Sequence, residues 1–433
     1  MRVLVIGGGA REHALCWAVS RSPLLTALYC APGNGGTAQL ATNVPLNPME
    51  FAACAEWAAG HAIDLTIIGP DDPLGGGIVD IFAAHGLKVF GPTAAAARIE
   101  SSKAWAKQLL LDNGIPTAQA TRFTDYAAAE AALRERETKG AFPVVIKADG
   151  LAAGKGVVIA HDAETARQAL EDIMVRQTLG AAGNSVLLEE YLEGPELSLF
   201  ALTDGATVYP LAPACDYKRA LDGDEGPNTG GMGAYSPPGF ATRDLLAEIE
   251  SRILRPTMRA LATAGAPFRG LLYAGLMLTS AGPQVIEFNA RFGDPETQVV
   301  LPRLDGDEGD LLALLLATAE GRLAAMPAPT WSSSVTCGVV AASAGYPGPF
   351  EKGKPITGLD TLDADVLVFH AGTQRTGDGQ LVTAGGRVLT VVARGNDMAS
   401  ARAHAYANIA RIHFDGMRWR NDIAAREVVG HSD

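Results

Sequence analysis

Cysteine is scarce in this sequence. Its five residues, Cys16, Cys30, Cys54, Cys215 and Cys337, form no CxxC pair, and most lie in apolar neighbourhoods. That argues against a disulfide framework and predicts buried free thiols in a reducing, cytoplasmic setting. No stretch reaches about 18 uninterrupted apolar residues, so no membrane span is expected. The apolar run in MRVLVIGGGAREH passes straight into a glycine loop and is too short for a signal peptide. Excess positive charge is lacking as well. Lys and Arg number 35 against 48 Asp and Glu, a net charge of −13. With no basic stripe, a nucleic-acid partner is not expected. Anionic metabolites remain possible ligands, given local cations and backbone N–H groups. Internal repeats and low-complexity tracts are also missing.

Apolar material is plentiful. Hydrophobic residues make up 48% of the 433 and charged residues 19%, enough for large cores in two to four domains. The first hundred residues alternate strand and helix signals. Strand-like runs at Val3–Gly7, Leu28–Ala31, Leu65–Gly69 and Lys88–Gly91 mostly end in Gly/Pro loops. An amphipathic helix is predicted over Arg11–Ser20. This pattern predicts a doubly wound parallel sheet with ligands at the strand C-termini. Further on, a helix is expected over Ser101–Leu111, capped by Ser101 or Ser102. Strands are expected at Phe142–Asp149, Val157–Ala160 and Val186–Glu190, and a hairpin across Asp204-Gly205. Ala163–Met174 and Asp244–Ala264 read as helices, and Leu271–Leu278 with Gln284–Phe288 as paired strands. The segment Ala220–Pro238 reads as a long functional loop. After Met326-Pro327 the texture becomes that of a small α+β unit, with strands at Val335–Ala341, Val366–His370 and Val388–Val392 and a helix at Ser400–Ile412. The expected division is 1–100, 101–326 and 327–433, with no room at the termini for another domain.

Chemistry concentrates first in IEFNARFGDPETQ (Ile286–Gln298). A strand there places Glu287 and Asn289 on one face, as two hard oxygen donors suited to Mg²⁺. Arg291 follows on that face and can clamp a phosphate or carboxylate. Lys147 ends a very apolar strand, so it needs an anionic partner such as a nucleotide phosphate. The loop GLAAGKG (Gly150–Gly156) can fold N–H groups over phosphates, with Lys155 adding charge. It is no P-loop: the spacing is wrong and a strand follows. VLLEEYLEGPELS (Val186–Ser198) reads either as a plain strand and turn or as an adenine hinge. In the second case backbone groups of Glu190 and Leu192 meet the base and Glu196 the ribose. At the N-terminus, Gly7 and Gly9 fit GxGxxG but Glu12 occupies the third position, which argues against an NAD-dependent oxidoreductase. These glycines can still hold a phosphate, with Arg11 assisting. His13 reads either as a ligand contact or, as is commoner for a helical histidine, as structural.

Together these elements resemble the ATP-grasp superfamily, and within it the phosphoribosylamine–glycine ligase (glycinamide ribonucleotide synthetase) family. The resemblance is chain-long. Its most specific strings are RFGDPETQ (Arg291–Gln298), GPNTGGMGAYSP (Gly226–Pro237) and KADGLAAGKGV; GGGAREHAL, VFHAGT and GGRVL also match. It implies an N-terminal Rossmann-like domain, a central ATP-grasp fold with a glycine-lid subdomain at about 122–192, and a small C-terminal domain. It also implies an enzyme joining glycine to 5-phosphoribosylamine with ATP and Mg²⁺ or Mn²⁺, through glycyl phosphate, acting as a monomer or weak homodimer. The implied catalytic residues are Arg291, Lys147 and Asp294. ATP would meet Lys103, Lys147, Gly154, Lys155, Gly156, Glu189, Glu190, Leu192 and Glu196. The other substrates would meet Gly9, Arg11, Glu12, Asp216, Lys218, Gly230, Gly231, Met232, Gly233, Arg291 and Asp294. The metal would sit on Glu287 and Asn289. Three stretches depart from the family. The opening reads GGGAREH where an Asn and a Gly-Gly pair commonly precede Arg-Glu-His. Tyr217 stands where histidine is common, which removes a proton carrier near neutrality. GPDDPL (Gly69–Leu74) replaces a usual Glu-Ala-Pro, which leaves Asp71 and Asp72 without an assigned role. An ATP-grasp ligase for another acid or amine, and a non-catalytic nucleotide-binding module, are the rival readings.

Overall fold

The computed structural model describes residues 1–150, 156–305 and 309–429. Its first sheet has five strands, all parallel. In spatial order they are Thr42–Asn43, Ala27–Pro32, Arg2–Gly7, Leu65–Ile68 and Val89–Phe90. The order reverses on either side of Arg2–Gly7. The loops after Gly7 and after Ile68 therefore lie side by side at the switch point, where doubly wound sheets bind ligands. They touch: a Cβ on Gly69 would overlap the Glu12 carboxylate.

Three antiparallel sheets of four or more strands follow among the described residues. A small one orders Ala120–Phe123, Val186–Glu190, Val144–Ala148 and Val157–Ala160. A larger one orders Val208–Pro210, Glu196–Thr203, Gly270–Thr279 and Gly282–Asn289. The last orders Cys215–Asp216, Gly233–Ser236, Val335–Ala342, Arg387–Gly395 and Leu367–His370. The first sheet and the larger antiparallel sheet share one apolar mass, in which Leu4 and Ile6 belong to the same cluster as Leu199, Leu272 and Val285. The small sheet keeps a separate core around Ile146, Leu170 and Leu188.

Several elements differ from the sequence reading. The helix Ala10–Val19 is buried almost all round rather than amphipathic. It is packed against the strand Leu367–His370 and the helix Glu296–Val300, so no face is left for water. The helix after Ser102 runs Lys103–Asp112, with the Ser102 hydroxyl accepting from Trp105 N–H. A separate helix, Ala94–Ser101, precedes it. The stretch read as one long loop contains a hairpin, Arg219–Leu221 with Glu225–Asn228, and a strand, Gly233–Ser236. Gly233 explains the misreading. A Cβ there would stand 2.7 Å from Ile423 Cδ1 and 2.8 Å from Gly338 O, so the residue that looks like a loop former allows close strand packing.

A polar seam joins the N-terminal loops to the last sheet. Asn34 donates to Gly8 O (3.0 Å) and His370 O (2.7 Å). His13 Nδ1 accepts the His370 N–H at 2.8 Å. Burial, and then the charge of His370, pushes His13 down to about 3; burial and Arg375 push His370 down to about 4. Both are neutral at pH 7. The unfolded chain takes up these protons below pH 6.5. Stability is therefore lost as pH falls from 6.5 towards the folded values, by about 1.4 kcal/mol per pH unit per histidine. His13→Gln should accordingly lose less thermal stability than wild type between about pH 7 and about pH 5. Equal losses in unfolding scans would contradict this account of the seam.

Candidate functional site

The strand Gly282–Asn289 carries a bulge. Gly275 faces Glu287 and Leu276 faces Val285, which leaves Ile286 without a register partner. Simple alternation is therefore interrupted: Val285 and Phe288 enter the core, while Ile286 is only partly buried. Glu287 and Asn289 still flank buried Phe288 and share the other face. The Ile286 carbonyl is turned to the small sheet and accepts Lys147 Nζ at 3.0 Å. Burial alone would raise the Glu287 carboxyl. Lys103, Lys218, Lys147 and Arg291, in that order, outweigh it and hold the group below the usual carboxylate range. Cations from four separate segments thus converge on one ionised carboxylate.

Each of these cations has a further partner. Lys147 meets Glu189 at 2.8 Å, so a protein carboxylate supplies an anionic partner for the buried ammonium. Glu189 also faces Lys107 at 3.4 Å, and Lys107 donates to Thr117 Oγ1 (2.6 Å) and Ala118 O (3.1 Å). Burial pushes Lys107 down to about 8 even though Glu189 opposes it. Lys103 donates to Gly150 O at 2.9 Å. Beside it, Asp149 accepts from Ser102 Oγ, Ala104 N–H and Ser185 Oγ, which fixes the start of the glycine loop. Gly154 and Lys155 lie outside the described residues; Gly156 returns the chain to the sheet by accepting Ala148 N–H. In the hinge, Glu190 donates its N–H to Gln119 O (2.9 Å), so that group is already engaged. Leu192 lies in the irregular segment that follows.

Lys218 pairs with Glu196 and lies 3.9 Å from Asp216. Burial pushes Asp216 up to about 7 against the pull of Lys218, and the neighbouring carboxylates Glu296 and Glu196 push it the same way as burial. Glu296 accepts from Tyr273 Oη (2.6 Å) and Ser198 Oγ (3.3 Å). Across the site, Arg291 meets Glu100 at 3.1 Å, so one arm of the expected phosphate clamp is held by protein. Arg11 donates to Phe292 O (3.2 Å). Burial raises Asp71, but Arg291 and Arg11 overcome this and lower it. The departure GPDDPL thus places an acid between two arginines expected at the site.

Some expected contacts serve the backbone instead. Glu12 accepts Gly9 N–H at 2.6 Å, the return half of a capping box, and pairs with Arg11 at 2.6 Å. It shapes the loop that presents Gly9 and Arg11. Met232 is fully buried, and Gly233 lies in a sheet. Asp294 meets Arg387 at 3.1 Å and Gln298 at 2.6 Å, and its Oδ2 faces Gly9. Tyr217 turns its ring into the C-terminal core, where Arg420 lies over it and its hydroxyl accepts Ala424 N–H. Sequence reasoning missed Lys107, Glu100 and Arg387. Lys107 stands one helical turn after Lys103 on a largely apolar helix, the pattern of a buried cation.

Among the described residues no three His, Cys, Asp or Glu side chains gather as a metal cage. An ion on Glu287 and Asn289 would take its other oxygens from phosphate or water, as magnesium commonly does.

Family models for phosphoribosylglycinamide synthetase match the N domain at 1–100, the ATP-grasp (A) domain at 101–297 and the C domain at 336–426. The phosphoribosylamine–glycine ligase of Streptomyces coelicolor is 50% identical over 430 residues, covering 98% of this chain and 99% of its own. The chain belongs to the phosphoribosylglycinamide synthetase family. The crystal structure of the Thermotoga maritima phosphoribosylamine–glycine ligase superposes with a TM-score of 0.84 at 35% identity, covering 98% of this chain and 100% of that one. A biotin carboxylase from Campylobacter jejuni shares the fold at 16% identity, with a TM-score of 0.72 over 96% of this chain and 92% of its own. Membership makes this chain an ATP-dependent ligase of the ATP-grasp type. Such ligases use ATP and, in general, a divalent metal. Among the described residues no helix is long and apolar enough to cross a membrane.

The Lys107–Glu189–Lys147 triad is dry, so its members differ in what their loss leaves behind. Glu189→Ala strands two buried ammonium groups and should destabilise the fold by about 3–5 kcal/mol. Lys107→Met leaves Glu189 still paired and should cost less. Thermal unfolding of both variants checks the order, and a larger loss in Lys107→Met would overturn this account.

Proposed function

We propose that this chain ligates glycine to 5-phosphoribosylamine with cleavage of ATP, giving glycinamide ribonucleotide, ADP and phosphate, a step of purine synthesis. The observation that carries the reading is the ionised Glu287 ringed by Lys103, Lys147, Lys218 and Arg291. The names of the full-length relatives support glycine and phosphoribosylamine as the substrates.

A carboxylate acylates poorly. In this reading a glycine carboxylate oxygen attacks the γ-phosphorus, and the β–γ bridging oxygen leaves with ADP. The product, glycyl phosphate, has a good leaving group. The amine then attacks its carbonyl carbon and phosphate departs. Glu287 and Asn289 would hold Mg²⁺ or Mn²⁺, whose charge would neutralise phosphate oxygens during transfer. Lys103, Lys147 and Arg291 position the transferred group, since phosphoryl transfer needs placement and charge neutralisation above all. Gly154, Lys155 and Gly156 belong to a lid that keeps water from the acyl phosphate. Glu189 orients Lys147, while Glu190 and Leu192 line the adenine and Glu196 the ribose. Gly9 and Arg11, set by Glu12, receive the substrate phosphate. Asp216, Lys218 and Asp294 contact the reacting groups, and Gly230 and Gly231, anchored by buried Met232 and sheet-bound Gly233, line the glycine subsite.

The same reading divides the chain at 1–100, 101–326 and 327–433 and takes it as a monomer or weak homodimer. A cytoplasmic setting fits its five free, buried cysteines.

ADP release by the purified protein should require glycine and phosphoribosylamine together. Release with either one omitted, or with another acid in place of glycine, would reject the assignment. Glu287→Ala should abolish ADP formation while the melting temperature stays close to wild type. Retained turnover would move the metal site elsewhere.

A further inference from the structure

Arg387 opens the strand Arg387–Gly395 of the last sheet, yet its guanidinium serves two other segments. Nη1 donates to Gly230 O and, at 2.9 Å, to Asp294 O; Gly231 O lies 3.4 Å away. Nη2 meets Asp294 Oδ2 at 3.1 Å. The group is four-fifths buried, with the side chain 19% exposed, so these bonds are largely shielded from water.

The surroundings keep it there. Gly386, just before it, lies flat against the Tyr346 ring, where any side chain would collide. Tyr346 Oη accepts the Gly230 N–H at 2.9 Å, so Tyr346 and Arg387 together hold Gly230 by both its N–H and its carbonyl. Gly231 has φ +106° and packs on the Pro295 ring, which seats the glycine-rich segment directly on the Asp294 turn. A Cβ on Gly230 would stand 3.0 Å from Arg387 Cζ, so any side chain there would press on the guanidinium. Asp294 Oδ1 is fixed in turn by Gln298 Nε2 at 2.6 Å.

We propose that Arg387 is a positioning residue: it locks the glycine-rich segment and the Asp294 turn into one arrangement, so that the last sheet shapes the glycine and amine subsites without touching ATP. This rests on reading Asp294, Gly230 and Gly231 as substrate contacts. A guanidinium is required because a single ammonium cannot serve the Asp294 carboxylate and separate carbonyls in one plane. Asp294 without its partner would be a buried carboxylate free to turn away from Gly9.

The test is steady-state kinetics of Arg387→Gln, Arg387→Lys, Asp294→Asn and the Arg387→Gln/Asp294→Asn double variant, with melting temperatures. Arg387→Gln should raise KM for glycine and phosphoribosylamine on the order of 10- to 100-fold, the range for losing charge-assisted bonds, and leave KM for ATP unchanged. Arg387→Lys should recover part of that loss. The double variant should be no worse than the weaker single variant, since both remove one link. Equal changes for all three substrates, or additive effects in the double variant, would reduce Arg387 to a packing role and overturn the proposal. Wild-type kinetics separate the two levels. If wild type needs both substrates and Arg387→Gln behaves like it, this proposal alone fails. If wild type does not need them, the functional reading falls and this proposal with it.

Discussion

A buried carboxylate kept ionised is the constraint from which the centre of this protein is built. Glu287 sits where burial would neutralise it, and only the sum of Lys103, Lys218, Lys147 and Arg291 reverses that tendency. One carboxylate cannot balance four cations. The structure therefore supplies others: Glu189 for Lys147, Glu196 and Asp216 for Lys218, and Glu100 for Arg291. These acids need no chemistry of their own. They let cations wait for an anionic ligand without repelling one another apart, and each ties a different segment to the strand Gly282–Asn289. Charge balance and architecture are here one requirement.

That requirement explains what could be read from the chain and what could not. Glu287, Asn289, Arg291 and Lys147 were legible because their polarity breaks an apolar pattern within a few residues. The parallel sheet was legible for a related reason, since continuous apolar strands ending in glycine repeat over short distances. The counter-charges were not legible. Glu100 lies about 190 positions from Arg291 in sequence, a separation matching the 190 between Glu100 and Ala290, and no local spacing relates them. The need for an anion beside Lys147 followed from burial alone, but Glu189 as its identity came only from the pairing of Val144–Ala148 with Val186–Glu190. The family resemblance supplied roles at Lys218 and Asp216 that periodicity could not have reached.

Glycine misled in a specific way. In Ala220–Pro238 its density reads as flexible connection, because glycine is the usual turn former. Packing uses it differently there. Gly233 lets two strands and Ile423 close up, and Gly231 accommodates the Pro295 ring. A sequence window sees missing side chains. It does not see the neighbouring atoms that fill their places.

The last sheet shows how such choices spread across the chain. Two of its strands, Cys215–Asp216 and Gly233–Ser236, come from the segment that also bears Lys218 and the glycine-rich stretch. Its other end meets the N-terminal loops through His13, Asn34 and His370. The sheet therefore touches both walls of the site while contributing none of the four cations around Glu287. Neutral histidines suit that seam, because burial disfavours a charge on either ring and Arg375 opposes one on His370. The arginines of the site, Arg11 and Arg291, are balanced by Asp71 and Glu100. A rigid outer frame with few charges surrounding a centre with many places the field where the four cations converge, and lets the frame set distances without disturbing it.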